Sequence, residues 1–170
     1  MRKELFHFSQ INAYQFVTFR TKASIDDFLK RMKETKLDET NKQFEMDKYL
    51  VTSDKGRLLN DGVIELIIEY CKNLDPKFYR LICLTVMPNH MHMLFEQKQN
   101  LSTIIQKVKG GLAYKINKHL SINGSLWERS YFYKAIGDEK HLQLTYDYIM
   151  NNAHKAELVD TDKSFFSVYE

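Results

Sequence analysis

Two strand-forming runs separated by a short turn constrain this fold more than any other feature of the sequence. Residues 78–86 are rich in β-branched and aromatic residues, and residues 90–93 alternate between histidine and methionine before the apolar Leu94 and Phe95. Between them lies Met87-Pro88-Asn89. Proline lacks an N–H group and is tolerated where a strand begins, and asparagine favours turns. The two runs therefore predict a β-hairpin.

The second run carries His90 and His92, one residue apart. Successive side chains of a strand point to opposite faces, so the two histidines share one face, and Met91, Met93 and Phe95 share the other. The histidine face could bind a metal ion while the other face packs in a core. Two histidines can also share this spacing by chance, and a histidine on a half-buried strand is more often a hydrogen-bonded packing residue. A metal site requires a third ligand from elsewhere in the chain.

Length and composition predict one globular domain over residues 1–170. The chain has 170 residues, of which 44% are hydrophobic and 28% charged, and only two are prolines. These values are typical of a protein that folds around its own core without long disordered linkers. The net charge of +3 permits a nucleic-acid partner without requiring one.

The sequence also bears on the compartment. No apolar run approaches the length of a membrane helix, and the N-terminal residues lack an apolar signal segment. Cys71 and Cys83 both lie in apolar segments and are expected to be buried free thiols. We therefore expect a cytoplasmic protein that does not contact a membrane.

Hydrophobic periodicity predicts the elements around the hairpin. Strands are expected at 12–19 and 131–136, and helices at 24–32, 62–73, 101–120 and from Asp138 to about Ala153. Residues 36–57 are either a helix or irregular, and the tail at 164–169 is expected to pack back on the body. This order predicts an α+β fold: a ferredoxin-like or RRM-like antiparallel sheet with helices packed on one face. The open face of such a sheet could bind nucleic acid.

The long helix at 101–120 combines lysines with two central glycines. Gly110 and Gly111 each cost about 1 kcal/mol relative to alanine in a helix, which indicates either a close approach by another group or a kink. The lysines are either a solvated face or a rail for a phosphate backbone, and tyrosines in the following strand could stack on bases. The candidate DNA-binding residues are Lys107, Lys109, Lys115, Tyr131 and Tyr133.

Tyr148 lies outside the apolar stripe of the last predicted helix. That stripe consists of Leu142, Tyr146, Ile149, Met150 and Ala153, so Tyr146 is expected to be a packing residue. Tyr148 and Asn152 lie one helical turn apart on a second face of the helix, so the phenol and the amide can contact the same group. A tyrosine outside the stripe is usually only a surface residue.

Joined to His90 and His92, this pair suggests a catalytic site. Two imidazoles and an amide oxygen could bind a divalent cation, and the phenol could attack a phosphate bound to it. Imidazole ligands by themselves would favour zinc over magnesium.

Four segments, taken in order, resemble a known family. They are residues 87–95, residues 106–110, Leu126-Trp127-Glu128 and residues 148–153. Together they resemble the single-tyrosine HUH transposases, and within them the REP-associated tyrosine transposase-like group; the resemblance covers the strand at 13–19 and nearly all of 62–159. It implies a metal-dependent single-strand DNA endonuclease and strand transferase with a ferredoxin-like fold. The implied partner is single-stranded or hairpin DNA, and the implied assembly is a monomer or a homodimer.

The resemblance also implies a role for each candidate site residue. His90 and His92 match the metal ligands, and Tyr148 matches the nucleophile that forms a 5′-phosphotyrosine and frees a 3′-hydroxyl. Asn152 matches the position that completes the metal site, and the implied ion is Mg²⁺ or Mn²⁺. The chain has Asn152-Ala153 where the family often has Asn-Pro. Its segment 24–60 is longer than the family's usual first connection, which implies a possible insertion at 24–60 within the single domain.

Two other functions are compatible with the same residues. The first is a non-catalytic module that binds structured DNA or RNA on the same fold. The second, which ranks last, is a zinc hydrolase of small molecules.

Overall fold

The predicted hairpin forms the centre of the sheet. We describe a computed structural model of the chain, which covers residues 10–22, 37–53, 55–155 and 161–169. Strands β2 (Tyr79–Met87) and β3 (His90–Gln97) pair antiparallel from Met87 opposite His90 onward. Strand β1 (Tyr14–Arg20) pairs with the other edge of β3, so β3 is enclosed on both sides.

Two short strands complete a five-stranded sheet. Strand β4 (Phe132–Ala135) pairs with β1, and β5 (Phe165–Ser167) pairs with β2, both antiparallel. The order is β4-β1-β3-β2-β5. The first four strands have the ferredoxin-like arrangement, which confirms the predicted α+β class. The tail packs back as expected, because β5 lies at the edge of the sheet.

The described part of the chain contains five helices, of which the second, third and fourth match the helices predicted from hydrophobic periodicity. They are α1 (Glu39–Thr52), α2 (Gly62–Asn73), α3 (Leu101–Leu120), α4 (Glu139–Lys155) and the short α5 (Thr161–Ser164). The carboxylate of Asp38 accepts from the backbone N–H of Asn41 at the start of α1, at 2.8 Å. Asp138 caps α4 in the same way, accepting from the backbone N–H of His141 at 2.7 Å. Segment 36–57, which the sequence left open, therefore contains a capped helix.

The described residues do not test two of the predictions made from the sequence. The helix predicted at 24–32 lies outside them. The assignment of residues 1–170 to one domain, with an insertion at 24–60, stays a prediction.

The two faces of the sheet carry separate apolar clusters. Met91, Met93 and Phe95 pack in the larger cluster with α2 and α3, as predicted. On the opposite face, Phe16 and neighbouring side chains pack with Ile149 of α4. The expectation that this second face is open was wrong, because it is itself apolar and α4 has an apolar stripe that must be buried against something.

The two glycines of α3 differ in the space around them. A Cβ atom at Gly111 would lie 1.8 Å from the Tyr70 hydroxyl oxygen, whereas a Cβ atom at Gly110 would meet nothing within 4 Å. The Tyr70 hydroxyl donates to the Lys107 carbonyl at 2.9 Å. Helix α3 runs unbroken through both glycines, and the close approach occurs at Gly111 and not at Gly110.

Cys71 and Cys83 are buried free thiols, as predicted. Burial raises the pKa of each thiol to about 12, which makes both unreactive at neutral pH.

Among the described residues, no helix has both the length and the apolar character needed to cross a membrane.

Candidate active site

His90 and His92 project from β3 toward the face that α4 covers, and both are fully buried. His92 Nδ1 lies 2.7 Å from the hydroxyl oxygen of Thr18, its partner on β1. His90 Nδ1 lies 2.7 Å from the side-chain oxygen of Asn89. The Nε2 atoms of both histidines are buried and have no hydrogen-bond partner in the described part of the chain. Each imidazole is thus held through one nitrogen and leaves the other available.

Asn89 determines which nitrogen of His90 carries the proton. Its amide nitrogen donates to the Leu50 carbonyl at 2.9 Å, so its oxygen faces His90. An amide oxygen can only accept, so His90 Nδ1 is the donor and Nε2 keeps its lone pair. Metal-binding histidines usually have this arrangement, with the second ring nitrogen fixed by a neighbouring acceptor.

Asp47 of α1 is the third member of the cluster. One carboxylate oxygen of Asp47 and one nitrogen of each histidine all lie within 4.8 Å of one another, and all three residues are buried. His92 Nε2 is 4.0 Å from Asp47 Oδ2. Two imidazoles and a carboxylate form a common ligand set for a divalent cation.

Sequence reasoning missed Asp47, although a signal was present. The buried positions of α1 include Met46 and Leu50, and they also include Gln43 and Asp47 at the same helical spacing. Polar side chains on the apolar face of a helix need partners when they are buried.

Tyr148 of α4 contacts this cluster directly. Its hydroxyl donates to Asp47 Oδ2 in a short hydrogen bond, and its ring packs edge-on against the His92 imidazole with 5.6 Å between centroids. The Asn152 side chain also hydrogen-bonds Tyr148, and it is buried beside Asp47 at the same cavity. The structure therefore brings together the predicted residues from β3 and α4. The role of Asn152 as a metal ligand stays a prediction.

Burial keeps both imidazoles neutral. Burial lowers the pKa of His90 well below its usual value, and the positive charge of Arg20, with the charge that His92 would carry if it were protonated, lowers it further. Burial also lowers the pKa of His92, although the Asp47 carboxylate opposes this shift. Neutral imidazoles are the forms that bind metal ions. Burial, followed by the negative charge of Asp47, raises the pKa of Tyr148, so its hydroxyl is protonated.

Gln43 orients the Asp47 carboxylate. Its amide nitrogen donates to Asp47 Oδ1 at 2.8 Å, which leaves Oδ2 to face Tyr148 and His92. The Gln43 oxygen accepts from the Arg20 guanidinium, which is itself buried. Burial lowers the pKa of Arg20, and the Asp47 charge opposes this. The acidic side chain is therefore held in place and partly balanced by a buried cation.

The predicted DNA-binding residues lie across the sheet from the histidines. Tyr131 and Tyr133 pack against the larger apolar cluster, on the side of α3. The Lys109 ammonium donates to the Glu128 carbonyl at 2.7 Å and lies 5.8 Å from the centroid of the Tyr131 ring. The ammonium groups of Lys107 and Lys115 lie over aromatic rings of the same layer. The structure does not join these five residues to the histidine site, and their role in DNA binding stays a prediction.

Comparison with known proteins identifies the family. The family model described as "Transposase IS200 like" matches residues 49–152. The chain belongs to this transposase family. The matched region includes both histidines, Tyr148 and Asn152, whereas Asp47 and Gln43 lie just before it. The family resemblance inferred from the sequence is confirmed.

Two solved structures share the fold. The chain is 16% identical to a REP-associated tyrosine transposase bound to a REP hairpin, with a TM-score of 0.50; the match covers 87% of this chain and 70% of that chain. It is also 16% identical to a protein from Deinococcus radiodurans R1 assigned as a transposase, with a TM-score of 0.50; here 84% of this chain and 93% of that chain are covered. No curated protein sequence matches the chain.

Proposed function

We propose that this transposase is a metal-dependent single-strand DNA endonuclease and strand transferase with Tyr148 as its nucleophile. The observation that supports this most is the contact between the Tyr148 hydroxyl and a buried His-His-Asp cluster. The family membership supports DNA cleavage as the reaction class. The relative solved with a REP hairpin supports single-stranded, hairpin-forming DNA as the substrate.

The residues of the cluster fit a divalent cation. Buried polar atoms are normally hydrogen-bonded, yet the Nε2 atoms of His90 and His92 have no such partner among the described residues, and a carboxylate lies close to both. We assign His90, His92 and Asp47 as ligands, with the Asn152 amide oxygen as a further one, and Mg²⁺ or Mn²⁺ as the ion. When bound, the cation would withdraw charge from the scissile phosphate and stabilise the departing oxygen.

Tyr148 would carry out the covalent step. Its hydroxyl oxygen forms a bond to phosphorus as the bond from phosphorus to the 3′-oxygen breaks. The phenolic proton is released, and the departing oxygen takes up a proton to become a 3′-hydroxyl. The resulting 5′-phosphotyrosine ester conserves the bond energy, so attack by a 3′-hydroxyl on this ester rejoins a strand and restores the tyrosine.

The test compares two tyrosines of α4. Single strands that carry a hairpin and a randomised flank are labelled at the 3′ end, incubated with Mn²⁺, and resolved under denaturing conditions. The native protein should give a protein-linked band, and Tyr148→Phe should abolish it. Tyr146→Phe is the matched control, because the Tyr146 hydroxyl contacts Ser167 at 2.7 Å, away from the cluster.

Two outcomes would refute the proposal. If Tyr148→Phe retains the band and Tyr146→Phe loses it, the nucleophile is misassigned. If the native protein shifts the strands in a native gel but never forms a denaturant-resistant band, the chain is a non-catalytic binding module.

A further inference from the structure

Two strongly exposed apolar side chains lie beside the candidate site, one on α1 and one on α4. Phe44 is 51% exposed and Leu144 is 60% exposed. With Phe16, Phe132 and Tyr148, they line a cavity of about 210 Å³. Single exposed apolar residues are ordinary, but a group of them gathered at one concave place marks a binding surface.

A second cavity, of about 350 Å³, lies along the same pair of helices. Its lining includes Lys48, Val51 and Asn152. Phe44, Asp47 and Tyr148 line both cavities. The two cavities therefore form one cleft between α1 and α4. The side chains of Tyr148 and Phe44 lie where the two cavities meet.

The charged groups in the cleft suit a polyanion. The exposed Lys134 lines the first cavity. Lys48 lines the second, with its ammonium 4.5 Å from the centroid of the Phe44 ring and 3.4 Å from Glu45. Among the described residues that line these two cavities, Asp47 is the one that is acidic, and its oxygens are hydrogen-bonded to Gln43 and Tyr148.

Cations beside flat apolar surfaces are what a single nucleic-acid strand requires. Its phosphates attract lysines, and each base has an apolar face that can stack on an aromatic ring. A folded duplex keeps its bases stacked on one another and offers no such face to a narrow cleft. The chemistry of the cleft therefore favours an unpaired nucleotide.

We propose that the cleft between α1 and α4 binds the substrate strand, and that Phe44 and Leu144 hold the base of the nucleotide next to the phosphate that Tyr148 attacks. Lys134 and Lys48 contact the flanking phosphates. This inference rests on the proposed function, because it places the scissile phosphate at Tyr148. It assigns a role to α1, which becomes one wall of the substrate cleft.

The experiment measures strand binding without cleavage. All variants are made in Tyr148→Phe protein, so that no covalent step contributes. Two labelled probes are titrated at fixed salt by fluorescence anisotropy: an oligothymidylate of about 20 nucleotides and an abasic strand of the same length, which keeps the phosphates but lacks bases. The substitutions are Phe44→Ala and Leu144→Ala. The control is Tyr114→Ala, which removes a 70% exposed aromatic side chain from α3.

Base stacking predicts a selective loss. Phe44→Ala should weaken oligothymidylate binding by about 5- to 150-fold, since one stacked base contributes about 1–3 kcal/mol. Leu144→Ala should weaken it less, and both variants should bind the abasic strand as before. Tyr114→Ala should change neither probe. Because Phe44, Leu144 and Tyr114 are exposed, thermal melting should show all three variants folded.

Other results would overturn the inference. Equal losses for both probes would mean that Phe44 does not contact a base, and equal effects of Phe44→Ala and Tyr114→Ala would place the binding surface elsewhere. A chain that binds neither probe would also refute it. If the native protein forms the Tyr148 adduct while Phe44→Ala binds normally, this inference fails and the proposed function stands. If Phe44→Ala is selective but no adduct forms, the proposed function fails instead.

Discussion

The adjacent glycines of α3 should respond in opposite directions to the same substitution. Replacing either one with alanine should gain about 1 kcal/mol of helix propensity. At Gly110 nothing within 4 Å opposes an added Cβ atom, so Gly110→Ala should stabilise the fold by that amount. At Gly111 the new atom would lie 1.8 Å from the Tyr70 hydroxyl oxygen and 2.3 Å from its ring carbon Cζ, so the ring must move away.

The loss of stability expected for Gly111→Ala comes from the contacts that the Tyr70 ring loses when it moves. Its hydroxyl loses the bond to the Lys107 carbonyl, worth about 1 kcal/mol. The ring also loses packing against the larger apolar cluster, worth roughly another 1–2 kcal/mol. After the gain in helix propensity, Gly111→Ala should destabilise the protein by about 1–2 kcal/mol, which leaves a gap of about 2–3 kcal/mol between the two variants.

Urea unfolding followed by circular dichroism measures the free energy of unfolding of each glycine variant. Repeating the measurement in Tyr70→Ala protein tests whether the Tyr70 ring causes the loss at Gly111. In Tyr70→Ala protein the obstructing ring is absent, so Gly111→Ala should now stabilise, as Gly110→Ala does. If Gly111→Ala is as stabilising as Gly110→Ala in the native protein, the Tyr70 ring does not pack over α3 in this way. If it destabilises equally in both backgrounds, a contact other than Tyr70 is responsible.

Three further predictions concern the candidate metal site. Thr18→Val keeps the side-chain shape but removes the hydroxyl beside His92 Nδ1, so Mn²⁺ affinity measured by isothermal titration calorimetry should fall about 10- to 100-fold; unchanged affinity would show that this contact does not orient the imidazole. Asp47→Asn keeps the shape but removes the charge near both histidines, so Mn²⁺ should bind about tenfold or more weakly; an equal affinity would remove Asp47 from the ligand set. Chelation with EDTA should abolish the Tyr148 adduct in the denaturing gel while oligothymidylate binding by anisotropy persists, and an adduct that survives chelation would contradict metal dependence.

The elements of the fold were readable from the sequence because their signals are local. Successive side chains of a strand point to opposite faces, so the shared face of His90 and His92 needed no knowledge of the rest of the chain. The same holds for the shared face of Tyr148 and Asn152, which helical geometry alone sets. The order of strands and helices then leaves few antiparallel arrangements, and the ferredoxin-like one was found.

The sequence was less informative about which helix covers each face of the sheet. Alternation separates the two faces of β1 and β3 but does not say which helix covers each one, and α4 covers the face that was expected to be open. For the same reason, the predicted lysines and tyrosines of the DNA-binding set could not be placed relative to the histidines. They lie on the other side of the sheet.

Taken alone, the sequence determined a histidine pair, a tyrosine outside its core stripe, and the family signature that joins them. Only the tertiary structure decided that Asp47 belongs to the same site, because its contact with Tyr148 spans 101 residues of the chain. The residues around position 47 show only that polar side chains share a helix face with Met46 and Leu50; they do not say which residue Asp47 contacts. The contact depends on the fold, which places Asp47 of α1 and Tyr148 of α4 beside His92 on the same face of the sheet. Buried polar groups must form hydrogen bonds with one another, because water does not reach them.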